Sequence, residues 1–135
     1  MLFMLQKEVV DRICAQRGTK EYGRLSVTLQ YYCEVESKLT IGPEAFHPAP
    51  KVNSAIIRIT PRQKPKYQLS SEDCFETIVR EAFSQRRKTL RNGLKKYVNE
   101  TDIKEMGIPL NERAENLKVK DFVNLSNLYY QSKNN

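Results

Sequence analysis

The sequence predicts an α/β unit followed by an all-helical unit, and three observations carry that reading. Strand-like segments occur at 2–5, 33–41 and 55–60, all in the first half. From residue 72 onward apolar residues recur only at helical spacing. Between the two regimes, 61–71 holds Pro61 and Pro65, basic residues Arg62, Lys64 and Lys66 at alternate positions, and two serines, which is the composition of a linker. Runs so different in kind argue for two structural units, 1–66 and 67–135, within a chain of 135 residues that is long enough for one core or two small ones.

The elements follow in order. Leu2 to Leu5 reads as a buried strand cut at its start, and Lys7 to about Ala15 as a helix with Val9, Val10, Ile13 and Cys14 at helical spacing. Gly18 marks a stop. Gly23 opens a second short helix, Arg24 to Tyr32, whose Leu25, Leu29 and Tyr32 recur at i, i+4 and i+7. Cys33 to Ile41 alternates as a half-buried strand does, and Gly42-Pro43 ends it. Ala55 to Thr60 is a β-branched strand, and a connection this short between two strands predicts an antiparallel pair. Ser70 or Ser71 caps the first helix of the second unit, with Glu72 and Asp73 in its first turn. Its apolar stripe of Phe75, Ile78, Val79, Ala82, Phe83, Leu90, Leu94 and Tyr97 predicts one helix reaching about Tyr97. A shorter helix from about Asp102 to Met106 stops at Gly107 and Pro109. The last, about Lys118 to Tyr130, turns Val119, Phe122, Val123, Leu125, Ser126 and Tyr129 inward.

Composition narrows the function classes. Twenty-three basic residues against 16 acidic give a net charge of +7, which favours a polyanionic partner. Cys14, Cys33 and Cys74 are odd in number, far apart and accompanied by a single histidine, so neither a disulfide framework nor a metal site fits, and buried thiols in a reducing, cytoplasmic setting are expected. The apolar run at Met1 to Leu5 is too short for a membrane span or a signal segment, and no later run is longer, so a soluble chain without a membrane partner is expected.

Two stretches carry chemistry. In Phe46-His47-Pro48-Ala49-Pro50-Lys51-Val52-Asn53-Ser54-Ala55 the two prolines fix their own φ and push His47 and Ala49 into extended geometry, so the loop is stiff and could hold the Phe46 ring still for a stacked base. The same residues would also make a plain proline turn between strands. His47 reads as a loop residue, since one histidine supplies no catalytic triad. The second stretch has no acid between Glu81 and Glu100, while Arg86, Arg87, Lys88, Arg91, Lys95 and Lys96 crowd together. On a continuous helical wheel with Phe83 at zero, Arg87, Lys88, Arg91 and Lys95 fill an arc from about 40° to about 140°, suited to a phosphate backbone. Arg86 lands at about 300°, inside the apolar stripe, and reads as a structural or interdomain residue. No glycine-rich turn follows a strand; glycines 18, 23, 42, 93 and 107 are scattered, so no nucleotide-binding fingerprint is present.

Five segments taken together resemble the KsgA/RsmA-type rRNA adenine N6-dimethyltransferases: Leu5-Gln6-Lys7-Glu8-Val9-Val10-Asp11-Arg12, Tyr22-Gly23-Arg24-Leu25-Ser26-Val27, the Phe46 to Ala55 loop, Phe83-Ser84-Gln85-Arg86-Arg87-Lys88-Thr89-Leu90-Arg91-Asn92, and Arg113-Ala114-Glu115-Asn116-Leu117. They occur in the family's order across nearly the whole chain, but match only the family's second half. The resemblance implies the last strands of a Rossmann-like methyltransferase sheet plus a C-terminal helical rRNA-binding domain, with the S-adenosylmethionine site and the catalytic motif lying upstream of Met1. No catalytic, cofactor-binding or metal residue is then expected in these residues, and the chain alone is expected to be inactive.

It also implies a target-base loop of Phe46, Pro48, Pro50, Lys51 and Asn53. Phe46 would stack on the splayed adenine, the prolines would fix its position, and Lys51 and Asn53 would reach the target nucleotide's backbone. Arg87, Lys88, Arg91 and Lys95 would contact phosphates. The partner implied is the small-subunit (16S) rRNA of the 30S ribosomal subunit, whose adjacent adenines are dimethylated during ribosome biogenesis. Leu2 to Leu5 would present a bare edge or pair with another chain, a route to self-association. Two alternatives stand beside this reading: a non-enzymatic RNA-binding or ribosome-assembly module, and an Erm-like enzyme acting on large-subunit rRNA.

Overall fold

The computed structural model describes residues 1–45, 47–48, 52–84 and 88–134. Three strands, β1 (Leu2–Gln6), β2 (Cys33–Ile41) and β3 (Ser54–Pro61), form one sheet in the order β1-β3-β2, with β3 antiparallel to both neighbours. The outer strands therefore run parallel to each other, as a crossover connection requires. That crossover is made by α1 (Lys7–Ile13) and α2 (Arg24–Tyr32). Val10 and Ile13 of α1 pack on Ala55 and Ile57 of β3 to form a small core, edged by Leu5, Val9, Leu29, Val35 and Ile59. The expected strands and the antiparallel pair are present within a residue or two of their expected ends, but β1 is not the buried strand expected: Leu2, Phe3 and Met4 are 62%, 39% and 55% exposed.

The second half comprises α3 (Glu72–Ser84), α4 (Leu90–Gly93), α5 (Glu100–Glu105) and α6 (Val119–Lys133). Its core joins Phe75, Ile78, Val79 and Ala82 of α3 to Phe122, Val123 and Leu125 of α6, closed by Leu90, Leu94, Val98 and Ile103. Ser71 rather than Ser70 is the cap of α3: its Oγ accepts the Cys74 N–H at 3.2 Å. The N–H of Ser70 instead donates to Asn127 Oδ1 at 2.9 Å, and Asn127 Nδ2 donates to the Gln68 carbonyl at 3.0 Å. Those bonds and the Tyr31 hydroxyl on the Tyr67 carbonyl at 2.9 Å clamp the proline-rich connection to the body, so it is a packed strap and not a free linker.

Two further expectations are corrected. The single helix to Tyr97 does not form: α3 ends at Ser84, Thr89 is extended with ψ 161°, and α4 starts at Leu90. A helix from Glu72 to Tyr97 would be about 39 Å long, against about 22 Å for α6, so its last turns would overrun the partner they must pack on. Breaking it folds Leu90, Leu94 and Val98 back onto the same core, where all three are buried. The inward face of α2 also differs. Ser26, Val27 and Tyr31 are buried, while Leu25 and Tyr32 are 40% and 37% exposed. Packed between α1 on one side and α3 and α6 on the other, α2 is read from two sides, and a single i, i+4, i+7 stripe does not describe it. Val27 and Tyr31 thereby join the core of the second half.

Candidate nucleic-acid interface

The proline loop hangs from the paired ends of β2 and β3, where Ile41 stands opposite Ser54. Gly42 leaves the strand, and a single 3₁₀ turn, Pro43–Ala45, is closed by the Ala45 N–H on the Gly42 carbonyl at 3.2 Å. At the far end the Asn53 carbonyl accepts the Lys7 N–H at 2.9 Å, which fixes the loop's return to the junction of β1 and α1. Pro48, Val52 and Asn53 are exposed. Phe46, Pro50 and Lys51 lie outside the described residues. A cavity of about 300 Å³ opens beside the loop, lined by Gln6, Lys7, Glu8, Asp11, Glu21, Val52 and Asn53. Through Glu8 and Glu21 it adjoins a larger one of about 780 Å³ between α1 and α2, which Arg12, Lys20 and Arg24 also line. Several charges there are paired, Lys7 with Asp11 at 2.7 Å and Arg12 with Glu8 at 2.6 Å.

The basic stretch is arranged otherwise than on the helical wheel. Lys88 precedes the extended Thr89, Arg91 belongs to the short α4, and Lys95 follows it. All three are exposed, but they surround a turn instead of lining one helix face, because the helix that would have aligned them is broken. Arg91 Nε lies 3.8 Å from Glu100 Oε1 of α5, an exposed pair worth well under about 1 kcal/mol. Arg86 and Arg87 lie outside the described residues. The loop and the basic turn are thus carried by different cores, one by the sheet and the other by the α3–α6 pair.

What joins them was not legible as a site. Tyr22, 2% exposed, donates its hydroxyl to the Leu117 carbonyl at 2.7 Å and packs edge-on against Phe83 at 6.1 Å. Burial, then the charge of Asp121, pushes its phenol well above the ordinary range. Four residues before it, the Gly18 N–H reaches the Glu115 carbonyl at 2.6 Å; Gly18 has φ +84°, the left-handed conformation glycine tolerates. The Leu90 N–H donates to the Glu112 carbonyl at 2.8 Å. Just beyond Tyr22, the Ser26 hydroxyl accepts the Gly23 N–H at 3.1 Å and donates to the Arg12 carbonyl. The 18–26 segment, the 112–117 turn and the start of the basic turn therefore meet around one buried phenol. A tyrosine directly before the helix-entry glycine was the available signal.

Among the described residues no group of three or more His, Cys, Asp and Glu side chains converges on a metal-sized site. Burial, then Asp11, raises the Cys14 thiol, so it stays protonated at neutral pH and is no nucleophile. No described helix is long and apolar enough to cross a membrane.

Residues 1–131 match the family model described as ribosomal RNA adenine dimethylase. A ribosomal RNA small subunit methyltransferase A from Hydrogenovibrio crunogenus is 54% identical over 133 residues, covering 98% of this chain and 50% of that protein. The protein of the same description from Psychromonas ingrahamii is 46% identical over 135 residues, all of this chain and 50% of its own length. The chain thus spans about half the length of the curated relatives it matches. A crystal structure of a dimethyladenosine transferase from Plasmodium falciparum superposes with a TM-score of 0.83 at 23% identity, covering 98% of this chain and 57% of that one. For the 23S rRNA methyltransferase ErmE the values are 0.69 and 20%, over 96% of this chain and 54% of that one. At those identities the likeness is one of fold.

Proposed function

The chain belongs to the ribosomal RNA adenine dimethylase family, and we propose that it is the substrate-side half of an S-adenosylmethionine-dependent enzyme that dimethylates the N6 amines of adjacent adenines in small-subunit 16S rRNA, in the cytoplasm, during assembly of the 30S subunit. The observation that carries this reading is the 54% identity to a small-subunit rRNA methyltransferase across 98% of the chain. The sheet is read as the last three strands of a Rossmann-like methyltransferase sheet, and 67–135 as the RNA-binding domain that follows 1–66.

The residues present do not fit S-adenosylmethionine. Gly18 and Gly107 are the glycines with positive φ, and they follow helices α1 and α5, whereas a nucleotide-type cofactor needs a glycine turn directly after a strand. The donor therefore belongs to the other half. This half's task is to present the base. An adenine amine is a weak nucleophile tied up in stacking, so the base must be splayed out and held. In this reading Phe46 stacks on it, an interaction worth about 1–3 kcal/mol per base, Pro48 and Pro50 stiffen the loop, and Lys51 and Asn53 meet the nucleotide's backbone. Arg87, Lys88, Arg91 and Lys95 contact phosphates and set register without reading sequence.

The test fuses this chain to the unmatched half of the Hydrogenovibrio crunogenus protein and assays methyl transfer from labelled S-adenosylmethionine to 30S and 50S particles. Transfer to adjacent 16S adenines, with Phe46→Ala lowering turnover and leaving particle affinity nearly intact, is the expected result. A folded fusion that methylates only the 50S particle, or a Phe46→Ala fusion with full activity, overturns the substrate or the stacking assignment respectively.

A further inference from the structure

Two continuous cavities run along α1 and end at the proline loop. The smaller, about 300 Å³, opens at the loop's return, with Asn53 and the half-exposed Val52 on its rim. The larger, about 780 Å³, extends it between α1 and α2, past Lys20 and Arg24 to Thr28. Glu8 and Glu21 line both. Gly23 lines the larger one with φ −164°, an extended conformation that any residue adopts, and a Cβ at this position would meet no atom within 4 Å. Neither the backbone nor the packing demands glycine at that point; the missing side chain keeps the cleft open.

The charges of this cleft are sorted. Lys7 with Asp11 and Arg12 with Glu8 neutralise each other along α1. The exposed Lys20 and Glu21 have no ion-pair partner among the described residues. Arg24 meets Glu76 at 3.3 Å, with both side chains more than half exposed, a contact that water screens to little. The available charge is therefore two cations on the α2 side and one carboxylate on the wall toward the loop. A free phosphate uses only the cations, and a basic peptide only the carboxylate. A nucleotide uses both, because its phosphate meets the cations while the exocyclic amine of adenine, cytosine or guanine donates to a carboxylate. Single-stranded RNA offers such edges once its bases are unstacked. Val52 and Leu25, 48% and 40% exposed, add apolar surface on which a base face can lie.

We propose that the cleft between α1 and α2 is a second nucleotide subsite, which seats the nucleotide adjacent to the base on the loop, with its phosphates against Lys20 and Arg24 and its adenine amine donating to Glu21. The proposal rests on the reading of the loop as the holder of a target adenine, and extends it from one base to the adjacent pair. One adenine of the pair occupies the cleft while the other is presented on the loop, so the strand need not leave the protein between the two.

The test titrates the chain with a synthetic RNA hairpin whose single-stranded loop carries two adjacent adenines, and with hairpins in which purine, which lacks the amine, replaces each adenine in turn. Purine at one of the two positions should weaken binding about three- to tenfold, a penalty that Glu21→Ala removes. Lys20→Ala and Arg24→Ala should each lower the salt slope by about 0.7 unit without shifting the melt. Gly23→Asp gives α2 a better cap and sets a carboxylate in the cleft, so the melt should hold or rise while binding falls about threefold or more. No binding by the parent chain, salt slopes unchanged in both Lys20→Ala and Arg24→Ala, Gly23→Asp binding as the parent does, or no purine penalty that Glu21→Ala removes would each overturn the subsite. The readout is binding and not methyl transfer: a fusion that methylates 16S adenines, with these variants binding as the parent does, removes the subsite and leaves the proposed function standing.

Discussion

Tyr22→Phe isolates one of the buried bonds that tie the two halves together. The substitution keeps the ring that packs on Phe83 and deletes only the hydroxyl, whose acceptor is the Leu117 carbonyl at 2.7 Å. Losing a buried donor removes a net contribution of about 1 kcal/mol and leaves a buried carbonyl short of a partner, together about 1–3 kcal/mol. For a domain of this size each kcal/mol moves the melting temperature by about 3–5 °C, so a fall of about 8 °C is expected at pH 7. The pH dependence supplies an independent check. Burial raises the folded phenol above its unfolded value near 10, so below that pH both states hold the proton and the group's ionisation costs nothing. As pH rises past 10 the unfolded chain ionises first and the parent loses stability, by about 1.4 kcal/mol per pH unit at most for this one group. The variant has no such group, and the deficit it shows at pH 7 should shrink above pH 10. Tyr31 and Tyr32, also raised mainly by burial, titrate in both proteins and cancel in the difference. Thermal melts of parent and variant from pH 7 to pH 11 provide the assay. Equal melting temperatures at pH 7, or curves that stay parallel through the alkaline range, would refute the role given to this hydroxyl.

Two further outcomes are expected. Ser71→Ala removes the side-chain acceptor for the Cys74 N–H and should cost about 1 kcal/mol in a denaturant titration, whereas Ser70→Ala, whose bond is made by its backbone, should cost little. Lys88→Ala and Lys95→Ala should each reduce the salt slope of small-subunit rRNA binding by about one unit without shifting the melt, and an unchanged slope in both would remove the basic turn from the interface.

The order of elements was legible wherever a local signal coincided with the fold. Gly23 opens α2, Gly42-Pro43 closes β2, and the β-branched run 55–60 is the middle strand because its alternate residues Ala55 and Ile57 are needed under α1. The break in the long helix was hidden for a physical reason. Nothing between Ser84 and Leu90 is glycine or proline, and Leu90 and Leu94 return to the same core that an unbroken stripe would have served. Burial at those positions was foreseen correctly from a wrong geometry, and the error surfaced only in the charges, which a core does not correct. The candidate site divides the same way. Of its loop the structure describes the 3₁₀ turn Pro43–Ala45, His47, Pro48, Val52 and Asn53, whereas Phe46, Pro50, Lys51 and Arg87 fall outside the described residues, and the role of Tyr22 depended on a partner 95 positions away.

In the proposed reading the loop on the sheet and the basic turn on the helical core serve one RNA, and α2 is the element that ties together the two cores carrying them. Its Gln30 amide donates to the Ile13 and Ala15 carbonyls at 2.9 and 2.8 Å, and Ser26 holds the Arg12 carbonyl, so one flank is bonded to α1. From the other flank Tyr31 meets Phe75 at 5.0 Å and reaches the strap at Tyr67, while the Gln30 carbonyl accepts from Arg62 at 3.1 Å. A helix held by polar bonds on one side and aromatic packing on the other cannot roll to relieve either contact without losing the other. That two-sided restraint explains why the sequence around Gly23 to Tyr31 mixes serine, glutamine and tyrosine where a one-faced helix would alternate leucine with lysine, and why the buried positions of α2 include Ser26. The connection from β3 to α3 adds a third tie, and together they convert two small cores into one frame.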